Sequence, residues 1–150
     1  MKDYAQTVRE DVEKHGFHVT YVGAGADPSF GYSIGLFETF DLPEVIVSSL
    51  PPRLTHQLIS QYVERFMGRQ VPLEQRIAAV DERFDYYLIP VEKALICDRV
   101  LAAREFYGDR AFDYVQIVYP DITMKFPDEE GYDYDQELFG AFPPANKESE

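Results

Sequence analysis

The sequence predicts an α+β fold, a mainly antiparallel sheet of about five strands with two or three helices packed on it. Three observations carry that expectation. Strand-like segments cluster early and late in the chain instead of alternating strictly with helices. Three stretches place apolar residues at helical spacing and run into a glycine. Hydrophobic residues make up 45% of the 150 and aromatics, all Tyr or Phe, 15%, enough apolar material for one packed domain. That domain is expected over residues 1–138, with an acidic, flexible tail over 139–150.

Each element follows from local pattern. "DYAQTVREDVEKHG" puts Tyr4, Val8 and Val12 on one stripe, with Lys14 and His15 in the last turn and Gly16 at the cap. "FHVTYV" alternates, the turn-rich "GAGADPS" follows, and "FGYSIGLFETF" alternates again, so the two read as a hairpin. "EVIVSSL" is a β-branched run suited to a buried strand, and Pro51-Pro52 stop it and start a helix reaching about Met67. Its core stripe is Leu54, Leu58, Tyr62 and Phe66, flanked by Ile59 and Val63. "GRQVPLEQR" reads as turns and "FDYYLIPV" as a strand whose Pro90 marks an edge or an end. A further helix enters near Asp98, with Ile96, Val100, Ala103 and Tyr107 in line and Gly108 closing it, and "FDYVQIVYPD" is the last strand.

In the second strand, Gly31, Ser33 and Gly35 leave one face nearly empty. Pairing the apolar faces of the hairpin sets Tyr21 near Tyr32, Val19 near Ile34 and Phe17 near Leu36, and sends His18 to the empty face beside Ser33. Glycine inside a strand permits close approach of another element. The Pro51–Met67 helix is expected over Gly31 and Ser33. Gly35 is expected at a cleft mouth opposite His18, where Gly35→Ala would spare folding.

Taken together, "HGFHVTYV", "PSFGYSIGLFETFDLPEVIVSSLP" and "YVQIVYPD" followed by "FP" resemble the bacterial Domain of Unknown Function 4262 family in order and spacing, over roughly residues 15–138. The family pattern falls on His15, Gly16, His18, Phe30, Tyr32, Ile34, Gly35, Leu36, Pro43, Glu44, Gln116, Pro120, Asp121 and Pro127. Phe17 and Tyr119 stand where members tend to carry Trp, as does Asp128 after Phe126-Pro127, and "QELFG" matches only part of the usual Gln-Pro ending. The resemblance implies no activity.

Composition excludes several classes of function. With 14 basic against 27 acidic residues the net charge is −13, a field that repels phosphate backbones and anionic membranes, so nucleic acid and membrane are excluded as partners. No apolar run approaches the length that spans a bilayer, and the charged N-terminus is unlike a signal peptide, so the expected location is the cytoplasm. Cys97 is the single cysteine, expected as a buried structural thiol. Neither a zinc set, a calcium loop nor a phosphate loop is complete, and no cofactor is expected.

A polar patch remains: His18, Ser33 and Gly35, with Glu38 and Glu44 beyond the strand ends, and Gln116 and Asp121 on the last strand. It is the candidate border of a cleft for a small polar ligand. Ser33 lacks the strand-to-helix elbow of a serine nucleophile, so no catalytic set is assembled. The leading expectation is a non-enzymatic module for a basic protein partner, such as a toxin to be neutralised. The alternative is a ligand-binding protein or enzyme using the His18 patch.

Overall fold

Asp3 opens the first helix by accepting the Gln6 N–H on its carboxylate at 2.8 Å. Helix α1 (Tyr4–His15) ends at Gly16, whose left-handed backbone (φ 94°) returns its N–H to the Val12 carbonyl. The computed structural model describes residues 3–142 apart from 24, 26, 27 and 81. Six strands follow, β1 (His18–Val22), β2 (Phe30–Ile34), β3 (Glu44–Ser48), β4 (Arg76–Ile77), β5 (Tyr86–Pro90) and β6 (Tyr114–Val118), interspersed with four more helices, α2 (Leu36–Phe40), α3 (Pro52–Phe66), α4 (Lys93–Ile96) and α5 (Leu101–Tyr107). All strands form one sheet in the order β1-β2-β3-β6-β5-β4.

The α+β class is right, and the inventory is larger than the sequence suggested. The sheet is mixed, because β3 and β6 run parallel while the other pairings are antiparallel. The intervening α3, β4, β5, α4 and α5 form a long crossover, the connection a parallel pair requires. Strand β4 was missed because it is two residues long. The helix expected from Asp98 is two short ones, broken over 97–100, where Arg99 turns in over the rings of Phe30 and Phe139. Pro90 does mark a strand end, as the last residue of β5.

Two corrections bear on the patch. The hairpin register is one residue away from the one expected: Tyr21 faces Gly31, Val19 faces Ser33, Thr20 faces Tyr32 and His18 faces Ile34. Every residue of β2 is buried, so the alternation of Phe30, Tyr32 and Ile34 with Gly31 and Ser33 does not separate a core face from a solvent face, and matching apolar faces gives the wrong register. The strand also stops early. Gly35 turns left-handed at φ 104°, and Leu36–Phe40 is a short helix rather than strand.

Helix α3 covers one side of the sheet, burying Thr55, Leu58, Ile59, Tyr62, Val63 and Phe66. Against it pack Val45, Val47, Leu88, Val115, Ile117 and Tyr119. A Cβ on Gly31 would stand 2.4 Å from Thr55 Cγ2, so α3 does rest on that glycine, as expected. On the opposite side, α1, α5 and the C-terminal segment form a second core with Val8, Val12, Ile34, Ile46, Ala103, Tyr114 and Phe139. Packing thus continues past Leu138: Phe139 is 2% exposed, and Phe142 meets Tyr87 edge to face. Of the tail expected over 139–150, residues 143–150 lie outside the described residues.

Candidate functional site

Four of the seven patch residues meet near one buried carboxyl. Glu44, at the start of β3, is fully buried, and its Oε1 accepts the Ser33 hydroxyl at 2.7 Å. Oε2 accepts the N–H groups of Gly35 and Phe37, each at 3.0 Å, and the hydroxyl of Tyr107. Ser33 Oγ in turn accepts the Val45 N–H at 2.9 Å. Tyr107 accepts the Glu38 N–H at 3.3 Å, which ties α5 to α2. Burial pushes the Glu44 carboxyl above its ordinary value, and the hydrogen bonds from Tyr107, Ser33 and the α2 backbone pull it only part of the way back. The same burial, with the carboxylate beside it, raises the Tyr107 hydroxyl. Glu44 itself touches no solvent, so this node fastens β2, α2 and α5 to β3.

The other three patch residues lie elsewhere. His18 sits on the opposite side from Ser33's strand partner Val19, with Nδ1 2.6 Å from Asp11 Oδ2 and Nε2 2.7 Å from the Tyr4 hydroxyl, and so holds α1 against β1. Gln116 donates to the Glu137 carbonyl at 2.7 Å and accepts the Phe139 N–H at 2.8 Å, pinning the C-terminal segment to the middle of the sheet. Asp121 organises the loop after β6, accepting from the Thr123 N–H and hydroxyl, the Lys125 N–H and the Asp133 N–H. Burial alone would raise its carboxyl, but these donors outweigh it and hold it below the ordinary value. Gly35 does not border a cleft, since a Cβ there would stand 2.7 Å from Val12 Cγ2. Glu38 lies at the surface, its Oε1 2.6 Å from Arg110 Nη1.

A cavity of about 490 Å³ opens beside the node, between α4, α5 and the start of β6. Ile96, Val100 and Phe112 are among its apolar walls, and Tyr114 forms part of it while donating its hydroxyl to the Ser33 carbonyl at 2.7 Å. Phe112 stacks on Tyr107 with ring centroids 4.6 Å apart, so the cavity wall abuts the residue that bonds Glu44. Lys93, Arg104 and Arg110 stand around the cavity with one acid, Glu105. Cys97 also lines it and is exposed, contrary to the buried thiol expected. Pockets of ligand size typically enclose about 300–1,000 Å³ with apolar walls and a few polar groups, and this one has that character. Among the described residues no group of three or more His, Cys, Asp and Glu is placed to hold a metal.

Sequence reasoning missed every residue of this cavity. One signal was available: residues 93–110 carry Lys93, Arg99, Arg104 and Arg110 against Asp98, Glu105 and Asp109, four basic to three acidic in a chain where acids outnumber bases 27 to 14.

Fold and site together define an α+β domain with helices on both faces of one mixed sheet and a ligand-sized cavity at its side. The chain belongs to the family described as Domain of unknown function (DUF4262), whose model matches residues 11–133. The resemblance read from the sequence is thereby borne out. No curated protein and no solved structure matches it. No helix among the described residues is long and apolar enough to cross a membrane.

Proposed function

We propose that this domain is a small-molecule-binding module whose ligand occupies the cavity between α4, α5 and β6. The observation that carries this reading is the cavity itself, about 490 Å³, with Ile96, Val100 and Phe112 among its apolar walls. It replaces the His18 patch as the place where a ligand would sit, because His18 is committed to Asp11 and Tyr4. Amide NMR of the labelled protein against a mixture of cell metabolites tests it. Shifts should concentrate within residues 91–114. Shifts spread elsewhere, or none with any mixture, would remove the reading.

The net charge of −13 favours a second reading, a module steered to a basic protein partner such as a toxin. Salt screens such a complex, so capture of a basic protein at low ionic strength and its release at high ionic strength is the expected behaviour. Recovery of no partner at low salt counts against it.

A further inference from the structure

The walls and rim of the cavity differ in chemistry, and the difference points to a class of ligand. Resting on the reading of the cavity as a binding site, we propose that its occupant is a small amphipathic anion, with the acidic head on Arg104 and the apolar body against Ile96, Val100 and Phe112. Two of the three cations are already paired: Lys93 Nζ lies 3.3 Å from Asp113 Oδ1, and Arg110 Nη1 lies 2.6 Å from Glu38 Oε1. Arg104 is different. Its Nη1 donates to the Cys97 carbonyl at 2.6 Å, and among the described residues it faces no carboxylate within ion-pair distance.

Glu105, the acid beside it in sequence, cannot neutralise Arg104 across the helix, because adjacent helical residues do not face each other. A guanidinium presents five N–H donors in a planar fork. The bond to Cys97 fixes one end of that fork at the cavity and leaves the rest free for an acceptor. In a chain with 27 acidic residues, an arginine left without a carboxylate beside an apolar cavity is a local reversal of the protein's charge. Carboxylate and guanidinium match in bidentate geometry, and a charge-assisted bond of that kind discriminates strongly against a neutral or cationic head.

The single cysteine supplies the readout. Cys97 is exposed and lines the cavity, so an occupant should shield it from alkylation by iodoacetamide. The probes are decanoate, decanol and decylamine, each below its aggregation threshold, on the intact protein and on Arg104→Gln. Expected is protection of Cys97 by decanoate, weakened by added salt and weakened about tenfold or more in Arg104→Gln, with decanol unaffected by the substitution. Equal protection by decylamine or decanol, or an unchanged decanoate affinity in Arg104→Gln, overturns the anionic assignment while leaving a binding cavity. No protection and no amide shift within residues 91–114 by any of the three overturns the cavity reading itself and the inference with it.

Discussion

The two faces of the sheet are built in opposite ways. One is closed by a single 15-residue helix, α3, whose stripe of Leu58, Ile59, Tyr62, Val63 and Phe66 shares a core with Val45, Val47, Ile77, Leu88, Val115 and Ile117 of the strands. The other is assembled from α1, the broken pair α4 and α5, and the C-terminal segment. Short pieces cannot fill a face as one continuous stripe does, and this face holds the buried polar groups Glu44, Ser48 and Gln116 together with the flanking cavity. A continuous amphipathic helix thus closes the middle of its face with one apolar stripe. A patchwork needs polar fasteners at its seams, and leaves room for a ligand.

The largest effect that would sharpen this contrast lies in the C-terminal segment. Phe139→Ala should cost about 3–5 kcal/mol in urea unfolding, the usual loss for a buried phenylalanine, because its ring fills the second core. A loss near zero would show that the patchwork face is closed without that segment.

Next come Gly31 of β2 and Gly35 just beyond its end. Gly35→Ala should destabilise by about 2–4 kcal/mol, since a left-handed alanine costs about 1–2 and the overlap with Val12 adds to it. Gly31→Ala overlaps Thr55 Cγ2, with the Thr20 carbonyl and Tyr21 at ordinary contact distance, and needs no unusual backbone, so about 1–3 kcal/mol is expected. If Gly35→Ala proves the milder of the pair, the close docking of α1 on the end of β2 is wrong.

A pH series tests the fastener at the seam. With the Glu44 carboxyl raised, the folded state holds a proton that the unfolded chain has lost once pH exceeds the ordinary value of 4.5. Stability should therefore be greatest below 4.5 as far as this group is concerned, and fall as pH rises to the folded value, by at most about 1.4 kcal/mol per pH unit. Asp121 works in reverse. Its carboxyl is held low, so its contribution is present above the ordinary aspartate value and is lost as pH falls through the folded one. Urea midpoints across this range should decline on the alkaline side in the native protein and flatten in Glu44→Gln. An unchanged slope in that variant would assign the decline to another group.

The smallest effect belongs to the cavity. Arg104→Gln is a surface change with one backbone contact to lose, and its stability should stay within about 0.5 kcal/mol of the native protein by thermal unfolding. A larger loss would make Arg104 part of the framework that closes this face.

Elements were legible from sequence wherever one face alone is buried. Helix α1 with its Gly16 cap and α3 with its stripe stand close to where periodicity put them, because a half-exposed helix writes its orientation into the order of apolar and polar residues. The α+β class was readable from the same patterns, the family from the order and spacing of its motifs, and the rest of α3 on Gly31 from the small residues of β2. Strand β2 wrote no such record. With helices on both sides of the sheet all its positions are buried, so its alternation of large and small residues does not mark a solvent face, and matching apolar faces puts the register one residue off and His18 beside Ser33 when the fold separates them.

Only the tertiary structure decided that Ser33, Gly35 and Tyr107 converge on Glu44 from positions up to 63 residues away from it. The parallel pairing of β3 with β6 and the cavity beneath the broken helices are likewise products of how distant segments meet. Local sequence determines which residues seek burial. Which partner satisfies a buried carboxyl, and where packing falls short of filling space, depends on contacts between segments that no local pattern records.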